Sequence, residues 1–302
     1  MTASASEAAR PAVAITNRPS LGALAAVVRI TVARQVRGKR AWLFALMFAL
    51  PTAIALLLRR YAQPYDADDV ALALLHALLP QAVVPLTALL FASGLVQDDV
   101  EEQTLTYFLI RPIPRWSIYV AKALGAVIVT SALAATFTTA AAAAIRLDVG
   151  DYGVADLARE GGVLAATSSL AMSTYIAIFG LLGLLTRRVL VAGVGYVVVF
   201  EGFVSNIPFL VRQATVLFHV RVLTIRWLGL DPETWSIDLA TAPTAATSLA
   251  CLIGTSALFL AAGAWLFAAR EFRVKTPEGG EADPREGSRL LPLREKVARR
   301  AG

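Results

Sequence analysis

Cysteine and histidine are nearly absent from this chain. Cys251 is the one cysteine in 302 residues, so no intrachain disulfide can form, and His76 and His219 lie far apart with no partner one helical turn away. A metal centre needs clustered ligands, and none is expected here. Lysine is also scarce, limited to Lys39, Lys122, Lys275 and Lys296. None completes a G-x-x-x-x-G-K-[ST] phosphate loop, because Lys39, which follows a glycine, precedes Arg40. No nucleotide site and no cofactor are therefore expected in this chain. Ser93 finds no histidine in the last apolar run to act as its base, so nucleophilic catalysis lacks its second group. Charge is short as well, at 17% of residues, where a soluble domain carries about 25%.

Apolar residues fill the space left by charge. They make up 57% of the chain, with a mean hydropathy of +0.64. They fall in six long blocks, at about 41–58, 70–96, 117–145, 163–185, 189–211 and 243–269. Blocks of this length read as membrane spans. All are expected to be helical, since lipid cannot satisfy a bare backbone and nothing alternates like a barrel strand. The fold class is therefore an all-α polytopic membrane protein with six transmembrane helices. Pro51, Pro80 and Pro85 fall inside spans, where kinks are expected. Gly180, Gly183, Gly254 and Gly263 read as helix contact faces, and the serines and threonines of the spans as interhelical glue.

Orientation follows from the basic residues. Arg29, Arg34, Arg37, Lys39, Arg40, Arg111, Arg115, Lys122, Arg187, Arg188, Arg270, Arg273 and Lys275 fall on the side of the N-terminus. Only Arg59, Arg60, Arg146, Arg159, Arg212, Arg221 and Arg226 fall on the other. Both termini are thus expected in the cytoplasm, in a bacterial or archaeal inner (plasma) membrane. The net charge of +6 then serves orientation and attraction to the inner leaflet, and no nucleic-acid partner is expected. Residues 1–20 are small and polar and read as disordered, with no apolar core of a cleavable signal peptide. Residues 276–302, rich in Gly, Pro and charge, read as a flexible cytoplasmic tail. Between them, residues 21–40 place Leu21, Leu24, Ala25, Val28 and Val32 at helical spacing with Arg29, Arg34, Arg37 and Lys39 opposite. That pattern predicts an amphipathic helix lying along the membrane.

The densest charge lies in QDDVEEQTLTYFLIRPIPRWSIYVAK, residues 97–122, between the second and third spans. Asp98, Asp99, Glu101 and Glu102 suit the positive start of a short helix. Leu105, Phe108 and Leu109 share one face of it, and Arg111-Pro112 stops it. Trp116 and Tyr119 are expected at interface depth, with Lys122 snorkelling.

This segment resembles the E-x-x-T-L-x-x-L-L-x-R-P-[IV]-x-R-x-x-[IL]-x-x-x-K stretch of type-2 ABC exporter permeases. The resemblance rests on Glu101 or Glu102, Thr104, Leu105, Leu109, Arg111, Pro112, Ile113, Arg115, Ile118 and Lys122. Gln103 stands where the family usually has glycine. A second stretch, with Tyr196, Glu201, Gly202, Asn206 and Pro208, is similar to the fifth span of such permeases. The resemblance implies a permease domain over residues 21–275, with an N-terminal connecting helix and re-entrant helices on the outer side after span five. It also implies an ATP-driven exporter in which a separate cytoplasmic ATPase subunit binds ATP and Mg2+. A second permease chain, identical or similar, would complete the pathway. Residues 98–110 would be the coupling helix seated on the ATPase, with Leu105, Phe108 and Leu109 as apolar anchors. Glu201 is then either a gate near the outer end of the pathway or an anchor pairing with Arg212 or loop donors. Two other functions stay open: a proton-coupled secondary transporter using Glu201, although no internal repeat is seen, and a membrane scaffold that transports nothing.

Overall fold

The computed structural model describes residues 21–61, 65–95, 114–147, 152–186, 188–207 and 210–270. Eight helices order the described chain: α1 (Leu21–Arg37), α2 (Lys39–Tyr61), α3 (Ala67–Ser93), α4 (Arg115–Arg146), α5 (Val154–Leu185), α6 (Val189–Asn206), α7 (Val216–Leu228) and α8 (Ala245–Ala269). All but α1 and α7 are long and apolar enough to cross a bilayer. We call proximal the end at which α2, α4 and α6 begin, and distal the end at which they finish.

Helices α3, α4 and α5 bury more than half of their apolar windows, whereas α2, α6 and α8 bury less than a third. The first three form the centre, and the others present apolar surface outward. Two glycines on α5 and α8 set the central packing. Tyr119 of α4 is 1% exposed, and its hydroxyl lies 2.7 Å from where a Cβ on Gly180 would stand. It also occupies the space that a Cβ on Gly263 would need. Tyr119 is therefore a packing residue between three helices, not the interfacial ring that its position beside Trp116 predicts. Gly254, by contrast, meets nothing within 4 Å and is no contact face within this chain. The hydroxyls follow the expected pattern only in part. Thr87, Thr130 and Thr167 bond back to carbonyls of their own helices. Between α5 and α8, Thr174 donates to the Leu252 carbonyl at 3.2 Å and Ser256 to that of Ser173 at 3.3 Å.

Helix α1 forms as the spacing predicts, but it is rotated. Val27 and Thr31 are its buried residues, not the stripe through Leu21 and Ala25. The cause is Gly125 on α4, which leaves a notch: a Cβ there would stand 2.9 Å from Thr31 Cβ and 3.3 Å from the Val28 carbonyl.

The prolines act unequally. Pro51 is accommodated within α2, where Phe44 and Phe48 stack at 4.4 Å and Phe44 meets Phe91 edge-on. Pro80 falls inside a π-helical segment, Leu72–Val83, and Pro85 opens the regular turns that follow. A proline has no N–H to return to the turn before it, and a widened turn absorbs that loss. Helix α6 widens in the same way over Val197–Phe203 and tightens to a 3-10 turn at Val204–Asn206.

Candidate functional site

Thirteen residues carry the sequence-based site, and they fall into three groups. Asp98, Asp99, Glu101, Glu102, Thr104, Leu105, Phe108, Leu109, Arg111 and Pro112 lie outside the described residues. Arg115 opens α4 at the proximal end. Glu201 and Asn206 lie on the last turns of α6 at the distal end.

At the proximal end the structure adds a residue whose role differs from expectation. Lys122 does not snorkel. It is buried, and its Nζ donates to the carbonyl of Leu95 at 2.6 Å. The last carbonyls of a helix have no partner within it, and an ammonium is a favourable one. Lys122 thus holds the end of α3 to the second turn of α4.

At the distal end Glu201 is fully buried on the π segment of α6. Its Oε2 accepts the backbone N–H of Leu217 at 3.1 Å, the second residue of α7. Thr215 accepts the next free N–H, that of Phe218, at 3.3 Å. The carboxylate therefore caps the positive start of a 13-residue helix, where negative charge is stabilised. The hydroxyls of Tyr196 and Tyr175 flank it. Arg212 is not its partner: that guanidinium donates to the Ser236 carbonyl at 2.9 Å and lies 5.1 Å from the Phe218 ring centroid. Asn206 donates to the Gly202 carbonyl at 2.6 Å, while its Oδ1 accepts from Arg221 of α7 at 3.2 Å. Arg221 also donates to Gln81 of α3 at 3.3 Å.

A second distal cluster involves residues that sequence reasoning set aside or counted only for topology. Glu160, 3% exposed, accepts from Arg146 Nε at 3.2 Å and from the Tyr152 hydroxyl at 2.6 Å. His76 Nε2 stands 3.3 Å from its other oxygen. Arg146 also pairs with exposed Asp68. Burial and the bond to Glu160 push the Tyr152 phenol up to about 12. Burial also raises the Tyr65 phenol, against the opposing pull of Arg59 and Arg146. Tyr65 and Arg59 donate to the carbonyls of Ile145 and Ala144, capping the end of α4. The signal in the sequence was Glu160 itself, a carboxylate at the edge of an apolar run. It falls outside the fourth span expected at about 163–185, whereas α5 begins at Val154, with Asp156 bonded back to the N–H of Gly153.

Among the described residues no cluster of three or more metal-ligating side chains exists. The distal side chains bond helix ends and one another: Glu201 the start of α7, Asn206 Arg221, and Glu160 Arg146 and Tyr152.

Six helices long and apolar enough to cross a bilayer define a polytopic membrane protein. A family model described as ABC-2 family transporter protein matches residues 25–272, and the chain belongs to that family. The match takes in every described helix but the first four residues of α1. A search of the curated proteins finds no match. Membership makes this chain a permease component of an ABC transporter, a class whose membrane subunits carry no nucleotide-binding domain.

Proposed function

We propose that this chain is the membrane subunit of an exporter driven by a separate ATPase, with the proximal end in the cytoplasm. The observation that carries the reading is the family match across all six spans. The basic residues gathered at the proximal side support the orientation. The ATPase subunit binds ATP and Mg2+. Residues 98–110 form the coupling helix seated on it, beside the end of α3 that Lys122 holds. A second permease chain packs on apolar surface left outward by α2, α6 or α8. Helix α7, too short for a crossing and buried over Val216–Ile225, is the re-entrant element on the outer side.

The test is copurification. A soluble ATPase carrying a phosphate loop is expected to stay bound to the solubilised full chain and to hydrolyse ATP in the complex. A chain that runs alone and moves solute with a pH gradient, without ATP, supports the secondary-transporter reading instead.

For Glu201 the cap geometry favours the anchor role. Glu201→Gln keeps an acceptor oxygen for the Leu217 N–H and is expected to express and transport nearly as the wild type does. Glu201→Leu strands that N–H and is expected to lose about 1–3 kcal/mol of stability. Expression levels and thermal unfolding in detergent check both. Full expression of Glu201→Gln with export abolished would identify a gate.

A further inference from the structure

Arg221 sits where three elements meet. It is 7% exposed, on α7, and its two terminal nitrogens bond Gln81 on α3 and Asn206 on α6. Both acceptors are neutral amides, and no carboxylate lies within salt-bridge distance of this guanidinium among the described residues. Each acceptor also stands on irregular backbone. Gln81 follows Pro80 in the π segment of α3, and Asn206 ends the 3-10 turn that follows the π segment of α6. Widened turns inside spans are common where function needs a local rearrangement.

The third nitrogen behaves differently. Among the described residues Arg221 Nε is buried without a hydrogen-bond partner, and so is Nδ1 of His76. Both residues line one cleft between α3, α5 and α7, together with Leu79, Ser168, Thr224 and Trp235. A carboxylate only accepts, so His76 Nε2 carries the proton shared with Glu160. The cleft is thus lined by two residues that each carry a partnerless buried nitrogen, together with Ser168, which is 4% exposed. Leaving such groups dry is unfavourable, and a small opening that admits water satisfies them both.

We propose that Arg221 is a latch that keeps the distal cleft shut by tying α7 to α3 and α6. The cleft behind it is a gated polar site that takes up water, and hydrogen-bonding groups like it, when α7 moves away. The inference rests on the exporter reading only for the direction it faces, since the distal end is then the outer one.

The experiment uses the full chain in proteoliposomes, with Cys251→Ala as background and Ser168→Cys as reporter. The probe is a polar methanethiosulfonate, and the readout is its labelling rate. Labelling is expected to be slow with Arg221 present and about tenfold faster or more in Arg221→Gln, the effect of losing a hydrogen bond made by a charged group. Arg221→Lys is expected to restore part of the protection. A second reporter, Thr130→Cys, lies buried at 0% exposure on α4 and should stay slow throughout. Should Arg221→Gln fail to fold, Gln81→Leu and Asn206→Leu each remove one arm while keeping the guanidinium, and each should raise the Ser168→Cys rate. An unchanged rate in these variants overturns the latch. Equal acceleration at Thr130→Cys also overturns it, by showing general loosening of the bundle. None of these measurements needs the ATPase. If the exporter reading alone fails, the latch effect persists while added ATPase and ATP leave the labelling rate unaltered.

Discussion

Arg146→Ala is expected to lower stability by about 3–5 kcal/mol, because it strands a buried carboxylate. Glu160 is 4% exposed at its side chain and Arg146 12%, so the carboxylate left without its guanidinium cannot turn to bulk water. Removing Asp68 should matter far less. Its side chain is 85% exposed, and surface pairs contribute about 0–1 kcal/mol. The order Arg146→Ala ≈ Glu160→Ala ≫ Asp68→Ala is thus the expected outcome of thermal or denaturant unfolding of the purified chain. Combining Arg146→Met with Glu160→Gln should cost much less than the sum of the single changes, since no lone charge remains. Equal, small losses from all three alanine variants would show that the cluster contributes little to the distal end. The cluster's position explains why the effect should be large. It joins the start of α3, the end of α4 and the start of α5, and His76 meets Trp235 beyond α7 edge-on at 6.4 Å.

Phe108→Ala is expected to uncouple ATP turnover from export while leaving the permease folded. Under the proposed function Phe108 is an apolar anchor in the ATPase groove, and losing a central anchor costs 2 kcal/mol or more, about thirtyfold or more in affinity. Asp98→Ala removes a charge from the rim of the same helix, where the effect is small and depends on salt. Measured on the assembled complex, Phe108→Ala should therefore lower export-linked ATP hydrolysis by at least tenfold more than Asp98→Ala does. Indistinguishable, negligible effects would remove residues 98–110 from the coupling role. Lys122 offers a companion measurement. Its bond to the Leu95 carbonyl fixes the end of α3 next to this segment, so any coupling motion has a rigid base to act on.

Much of the candidate site could be read along the chain, but its contacts could not. Glu201 stands out as a carboxylate inside an apolar run, which is costly enough to mark it. Its partner did not, because a backbone N–H at the start of α7 carries no residue signature. Arg212 and loop donors are both open to it by sequence; Arg212 serves the Ser236 carbonyl and the Phe218 ring, and the donor is the Leu217 N–H. By sequence His76 is a histidine without clustered metal ligands and Arg221 a basic residue of the outer side. Glu160 and Arg146 are 14 positions apart and His76 is 84 from Glu160, so no spacing rule brings them together.

The sequence by itself determined that this is a six-span helical protein with most of its charge outside the spans. Hydrophobic length against bilayer thickness, and the need of each backbone to satisfy itself, are properties of one segment at a time. The order of residues from Glu101 to Lys122 likewise carried the family resemblance without any contact being known. Only the tertiary structure decided how each helix is rotated about its own axis, and hence which polar groups meet. That rotation is set by local shape: the notch at Gly125 that seats Thr31, and the space at Gly180 and Gly263 that Tyr119 fills. Length and composition leave it free. Packing at such points turned Lys122 inward to the Leu95 carbonyl, Glu201 toward α7, and Arg221 across to α3 and α6.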